Sequence, residues 1–144
     1  MPVSRYEDLM NEVVENVAKL MLASAKTAPK ARGMDRLVYA LITGGEKQKL
    51  ADQMEAMAKE RPIFPRDAKN VRDSDAVVVI GLADAEPLGL DCGACGFHTC
   101  DEFSKAKKTQ GRFFQGPQCV MHLINLGIAI GSAAKTAGIL NVDN

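Results

Sequence analysis

No charge of either sign dominates this sequence: 18 Lys and Arg offset 18 Asp and Glu among 144 residues. A balanced chain lacks the basic footprint of a nucleic-acid binder and the cationic face that anionic membranes attract. A secretory leader is also missing, since Met1-Pro2-Val3-Ser4-Arg5-Tyr6-Glu7-Asp8 has no basic start followed by an apolar run. The expected location is the cytoplasm, where thiols stay reduced. No stretch suits a membrane span, because the most apolar one, Val120 to Leu140, contains His122, Asn125, Ser132 and Lys135. That stretch reads as a central helix, or as a helix at the contact of a homodimer, with Leu123, Ile124, Leu126, Ile128, Ile130 and Ala134 buried. Gly44-Gly45 is followed by no Lys-Ser/Thr pair, so a turn is preferred to a phosphate loop. Internal repeats and low-complexity tracts are absent as well.

What is present suffices for one packed domain over residues 1–144, with 47% apolar residues and 25% charged. Ser4 to Glu7 reads as a capping box, and Leu9, Val13, Val17 and Leu20 then recur at helical spacing until about Lys26. Thr27 to Gly33 has turn chemistry and several basic groups. Leu37 to Ile42 reads as a buried strand and Glu46 to Glu60 as a second helix, with Leu50, Met54 and Met57 inward. A linker is expected from Arg61 to Pro65. Ala76 to Leu82 is a continuous β-branched run, as in a strand covered on both faces. The order implies an α/β or α+β fold, a small sheet covered by helices, carrying a cysteine loop.

All four cysteines of the chain fall between positions 92 and 119, in Cys92-Gly93-Ala94-Cys95-Gly96-Phe97-His98-Thr99-Cys100 and then Cys119. A disulfide framework would be spread more widely and would need an oxidising compartment. The spacing C-x2-C-x4-C-x18-C gives a close trio and one distant thiolate, enough to hold a [4Fe–4S] or [2Fe–2S] cluster. Gly93 and Gly96 allow the positive φ that such wrapping needs. Thr99 to Glu102 is another capping box and Pro117 suits a first helical position, so Cys100 and Cys119 are expected in the first turns of two helices. Two helix N-termini would then aim backbone N–H groups at an anionic centre. Zinc is the alternative, although structural zinc sites pair their cysteines in two short knuckles. Four unrelated core cysteines would explain neither the clustering nor the glycines.

The segment Cys92 to Phe103 with Cys119 resembles the four-cysteine domain CGxCGxxxCxxF…C of the B subunit of Rnf-type electron-transport complexes and of the corrinoid iron–sulfur protein's large subunit. That resemblance implies a [4Fe–4S] cluster on Cys92, Cys95, Cys100 and Cys119, within a binding segment spanning 89–119. His98 stands where that domain often has proline. Over its whole length the chain is similar to a bacterial and archaeal family described as containing a ferredoxin domain, through Ala28 to Gly33, Val77 to Leu82, the cysteine segment and Leu126 to Ser132. Members of that family continue beyond the Asn141-Val142-Asp143-Asn144 found here. A more diffuse resemblance, in Thr27 to Arg32 and Ala137 to Leu140, is to flavin-dependent nitroreductases, and it implies a nitroreductase-like fold with bound FMN.

His98 reads as an exposed loop residue in preference to a proton-coupled partner or alternative ligand, and His122 as a core residue or one close behind a ligand. Lys105, Lys107, Lys108 and Arg112 read as a solvated helix face, with docking of an acidic electron-transfer partner as the other reading. Phe97, Phe103, Phe113 and Phe114 are expected to keep water from the cluster. Gly127 and Gly131 suggest close packing against another helix. Three functions compete: a one-electron carrier serving an unidentified redox partner, a flavin- or substrate-linked oxidoreductase using Lys30, Arg32 and the Gly131–Ser132 region, and a zinc-stapled interaction domain.

Overall fold

The computed structural model describes residues 3–83 and 86–143. Among them are five α-helices and two small antiparallel sheets, the mixed helix–strand class expected. Helix α1 spans Tyr6–Thr27 and leads through a 3-10 turn, Ala31–Gly33, into strand β1, Leu37–Thr43. Helices α2, Gly45–Ala56, and α3, Phe64–Asp73, precede strand β2, Ala76–Leu82. Helix α4, Cys100–Lys105, strands β3, Thr109–Gln110, and β4, Gln115–Gly116, and helix α5, Val120–Ile139, complete the chain. No helix among the described residues is long and apolar enough to cross a membrane.

Helix α1 begins one residue later than its sequence suggests. Arg5 is the N-cap, and its backbone N–H reaches the Asp8 carboxylate at 3.4 Å. The reciprocal bond of the box fails because Ser4 lies outside the helix. Glu7 and Asp8 still face the positive end of the helix dipole, and Lys26 the negative end. At the far end, Lys30 folds back so that its Nζ donates to the carbonyls of Ala25, at 2.6 Å, and Lys26, at 2.8 Å. Those are last-turn acceptors that no helical N–H can reach.

The core is built of small side chains. Ala25 on α1 and Ala129 and Ala133 on α5 are buried together with Leu37 of β1, and Met21, Tyr39, Ile80 and Leu82 pack around them. Alanine lets the two helices approach closely, and the Ser24 hydroxyl reaches the Ser132 carbonyl at 3.0 Å across that contact. Strands β1 and β2 pair antiparallel from Leu37 opposite Leu82 to Thr43 opposite Ala76. Side chains alternate between faces, so Leu37, Tyr39, Ile80 and Leu82 face α1 and α5, and Val38 and Val79 face away. Val38 is 54% exposed and Val79 37%. The expectation of strands covered on both faces therefore fails, because Val38 and Val79 stay exposed on the second face and an unbroken β-branched run is compatible with either arrangement.

The linker, the end of α2, the burial of α5 within one chain and the packing of its glycines also differ from expectation. The stretch after Arg61 is not only a linker: α3 starts at Phe64, tolerating Pro65 in its first turn because a helix-initial N–H has no intrahelical partner. It packs on α2, where Arg72 bridges Asp52 at 2.8 Å and Glu55 at 2.5 Å. Helix α2 ends at Ala56, short of Glu60. In α5 the buried residues are His122, Asn125, Ala129, Ala133 and Ala137. Leu123, Ile124, Ile128 and Ile130 are 39–49% exposed within this chain, and a Cβ added at Gly127 or Gly131 would meet nothing within 4 Å. The alanine face won the contact with α1 and the sheet because small residues permit the closer approach, which leaves the isoleucine and glycine faces open.

Candidate metal centre

The segment from Glu86 to Thr99 has almost no regular structure, and two polar contacts from elsewhere hold its start, with a third bracing the elements that make them. Arg32, held at φ 56°, donates from Nη1 to the Leu88 carbonyl at 2.7 Å. His122 places Nε2 3.0 Å from the Glu86 carbonyl. A carbonyl only accepts, so Nε2 carries the proton. Asn125 accepts the Ala31 N–H on its Oδ1 at 2.9 Å. Buried His122 and Asn125, one helical turn apart, thus tie the start of α5 to the stretch leading into Cys92 and to the turn holding Arg32.

Within the loop the backbone turns at Asp91, φ 46°, Gly93, φ 70°, and Gly96, φ 89°. Glycine carries this conformation without a Cβ penalty, and aspartate is one of the few other residues that tolerate it. The Gly96 N–H closes a turn on the Gly93 carbonyl at 3.0 Å. Asp91 accepts the Cys100 N–H on Oδ1 at 2.6 Å, which fixes the entry to α4. Thr99 is the N-cap of α4, accepting the Glu102 N–H at 3.1 Å. The returning bond of the expected box is displaced by one residue, as Glu102 accepts from the His98 N–H. Helix α5 starts at Val120 with Cys119 as its N-cap, three residues beyond the proline expected to open it.

These elements gather all four cysteines around one small shared cavity. Leu88, Leu90, Phe97, Val120 and Met121 supply apolar walls. Cys119 is buried, Cys95 and Cys100 are half-buried and Cys92 is exposed, so the space lies near the surface on the Cys92 side. Val120 and Met121 belong to the first turn of α5, which holds no acidic residue. A helix N-terminus against the cavity favours an anionic occupant. The first turn of α4 contributes less than expected, because the Cys100 and Glu102 N–H groups are taken by Asp91 and Thr99.

Both metal readings draw on the same four thiolates. A tetrahedral zinc site with Zn–S of about 2.3 Å holds its sulfurs roughly 3.8 Å apart. Among the described residues no three His, Cys, Asp or Glu side chains are grouped to hold a single metal ion. Four cysteines around a shared, largely apolar space suit a polynuclear centre, whose thiolates bond to different irons.

Phe97 meets Phe103 edge-to-face at 5.8 Å, and Phe103 is buried, as expected of a water-excluding wall. Phe113 and Phe114 are 56% and 82% exposed and take no part in it. His98 is exposed. Helix α4 ends at Lys105, so Lys107, Lys108 and Arg112 do not share a helix face. Lys30, Arg32 and Ser132 spend their polar groups on α1, Leu88 and Ser24. Sequence reasoning passed over Asp91, whose only signal was an Asp two residues after one glycine and two before another. The link from His122 to Glu86 joins residues 36 apart and left no local pattern at all.

Comparison with known proteins agrees with this geometry. Residues 89–110 match a family model described as "Putative Fe-S cluster", and residues 115–144 match one described as "Uncharacterized protein containing a ferredoxin domain". The two cover the trio and Cys119 respectively, and they point to an iron–sulfur cofactor. No solved structure matches the chain. An uncharacterized protein of Archaeoglobus fulgidus is 43% identical over 138 residues, covering 95% of this chain and 74% of that protein. With identity of that extent along nearly its whole length, the chain belongs to the family of uncharacterized proteins containing a ferredoxin domain.

Proposed function

We propose that this chain is a cytoplasmic one-electron carrier holding a [4Fe–4S] cluster on Cys92, Cys95, Cys100 and Cys119 and serving a separate redox protein. The observation that carries the reading is the shared cavity: Cys119 lines the same space as the trio although 18 residues separate it from Cys100. When bound, such a cluster supplies reversible one-electron chemistry at a potential set by its surroundings.

The chain's own residues set those surroundings. Phe97 and Leu88 limit water on the inner side, which favours the less charged oxidation state. The first turn of α5 offsets negative charge from the opposite side. Asp91 holds the Cys100 backbone, and Arg32 and His122 hold the strand of chain that delivers Cys92. Cys92 is the exposed edge through which an electron has the shortest path to solvent or to a docked protein.

Anaerobic purification followed by iron, sulfide, zinc and flavin determination tests the reading. The expected result is about four irons and four sulfides per chain, with neither zinc nor flavin in stoichiometric amount. About one zinc per chain with no sulfide would replace the carrier with a stapled domain, and two irons with two sulfides would change the cluster type.

A further inference from the structure

The connection between the last two cysteines carries a feature that the metal centre does not use. Strands β3 and β4 pair as a short hairpin, Thr109 opposite Gly116 and Gln110 opposite Gln115. Its tip presents Phe113 and Phe114 to solvent, 56% and 82% exposed. Arg61, from the connection between α2 and α3, donates from Nη1 to the Arg112 carbonyl. Its Cζ lies 4.8 Å from the centre of the Phe113 ring, and Arg112 approaches the same ring at 5.1 Å. Two guanidinium groups thus lie against one phenyl ring.

Among the described residues neither of these arginines has a carboxylate within 4.0 Å, whereas Arg66 and Arg72, Lys26, Lys49, Lys69 and Lys105 all do. Lys107, two residues before β3, is exposed too. Exposed aromatic rings flanked by arginine are the residue types that dominate binding at protein interfaces. Two like charges on one ring are neutralised best by an acidic surface, and the adjoining phenylalanines require that surface to have an apolar centre. Gly116 is three residues from Cys119, so their Cα atoms are at most about 11 Å apart.

We propose, resting on the carrier reading above, that the Thr109–Gly116 hairpin with the Arg61–Phe113–Arg112 stack is the docking face for an acidic one-electron redox protein. A cluster held by the four cysteines would give up one electron and the docked acceptor would gain it, with no proton or atom transferred. A nucleic acid is the less suitable occupant, because the chain is balanced in charge and the cations form a small spot and no stripe.

The test follows electron transfer by stopped flow from the dithionite-reduced, desalted protein to ferric cytochrome b5, an acidic one-electron haem protein, with the basic cytochrome c as control. Wild-type protein is expected to reduce cytochrome b5 about tenfold more slowly as salt rises from about 20 to about 300 mM, and to show no such fall with cytochrome c. Arg61→Glu with Arg112→Glu should lower the low-salt rate about tenfold and abolish its salt dependence. Phe114→Ala should lower the rate about threefold at every salt concentration. Iron, sulfide and visible absorbance should match wild type in each variant. Unchanged rates in variants with intact absorbance would overturn the docking face. Unchanged rates together with loss of binding to a single-stranded oligonucleotide would overturn it in favour of nucleic acid. Absence of iron and sulfide in wild-type protein, measured before any cytochrome is added, would instead sink the carrier reading and this proposal with it.

Discussion

The layer formed by α1, α5, β1 and β2 and the segment from Glu86 to Thr99 lie side by side, yet different forces hold them. In the layer, Ala25 and Ala129 are fully buried against Leu37 and Ala133, and every strand residue from Leu37 to Thr43 has a partner on β2. In the segment, Leu88 alone is buried, Cys92, Gly93, Ala94, Gly96 and His98 are exposed, and the backbone turns through positive φ at Gly89, Asp91, Gly93 and Gly96. Close packing makes the first self-sufficient. A few hydrogen bonds shape the second, and each contributes only about 1 kcal/mol net. We propose that the segment takes its remaining order from whatever its thiolates bind, as metal sites commonly couple binding to local order.

The largest expected effect breaks the segment and spares the layer. Cys92→Ser or Cys119→Ser should abolish the brown iron–sulfur absorbance and raise amide hydrogen exchange from about Gly89 to about Pro117, with α1, β1 and β2 as protected as before. Equal protection of the segment in both variants would mean that the fold orders it without metal.

The converse experiment strains the layer and spares the segment. Ala129→Leu forces extra atoms into the contact between α1 and α5 and should cost about 2 kcal/mol in urea unfolding, with iron content per folded chain unchanged. A parallel loss of iron would show that the two regions unfold as one unit.

A smaller effect sharpens the contrast at the open face of α5. Gly131→Ala adds a methyl group into empty space on a helix interior, and alanine's better propensity should raise stability by about 0.8 kcal/mol. A loss of stability would reveal a surface that seats on this face in solution, such as the second copy of the chain expected from the sequence, and sedimentation would then show the dimer.

The smallest effect is silent at neutral pH and appears only at extremes. Burial beneath the layer, with the nearby Asp35 carboxylate, raises the Tyr39 hydroxyl to about 12 from 10.0. A raised pKa favours the neutral form in the folded state, so this stability is intact below pH 10.0 and is lost as pH climbs to about 12. Burial pushes the Asp35 carboxyl up, but Lys26, the Leu37 N–H, Tyr39 and Lys30 together hold it below 3.8, so its contribution is lost only as pH falls below that value. Ultraviolet titration of a Tyr6→Phe variant isolates Tyr39. A midpoint near 10.0 would mean that the ring is not held against Asp35.

Helical periodicity made α1 readable to within a residue at each end, because its apolar stripe and its acidic first turn agree. The β-branched runs announced β1 and β2 equally well, but run composition carries no information on how many layers cover a sheet. Helix α3 was not legible because the stretch through Pro65 read as a linker, although a proline in the first turn costs a helix nothing. The cysteine segment was the most legible site feature, since ligand spacing and turn glycines are local. Arg32, Asp91 and His122 were not legible in their actual roles, because each acts through a backbone partner that no spacing rule identifies.

The sequence by itself determined the main helices and strands, α1, β1, β2 and α5, and which four side chains are the candidate ligands, since helical period, strand composition, caps and thiolate spacing all operate within about twenty residues of chain. Tertiary structure alone decided that Cys119 shares a cavity with the trio, that alanine and not isoleucine is the buried face of α5, and that two arginines from distant segments meet on Phe113. The physical reason is that these outcomes are set by competition among faces for the closest contact and by side chain–backbone bonds between remote segments, and neither leaves a periodic trace in the chain.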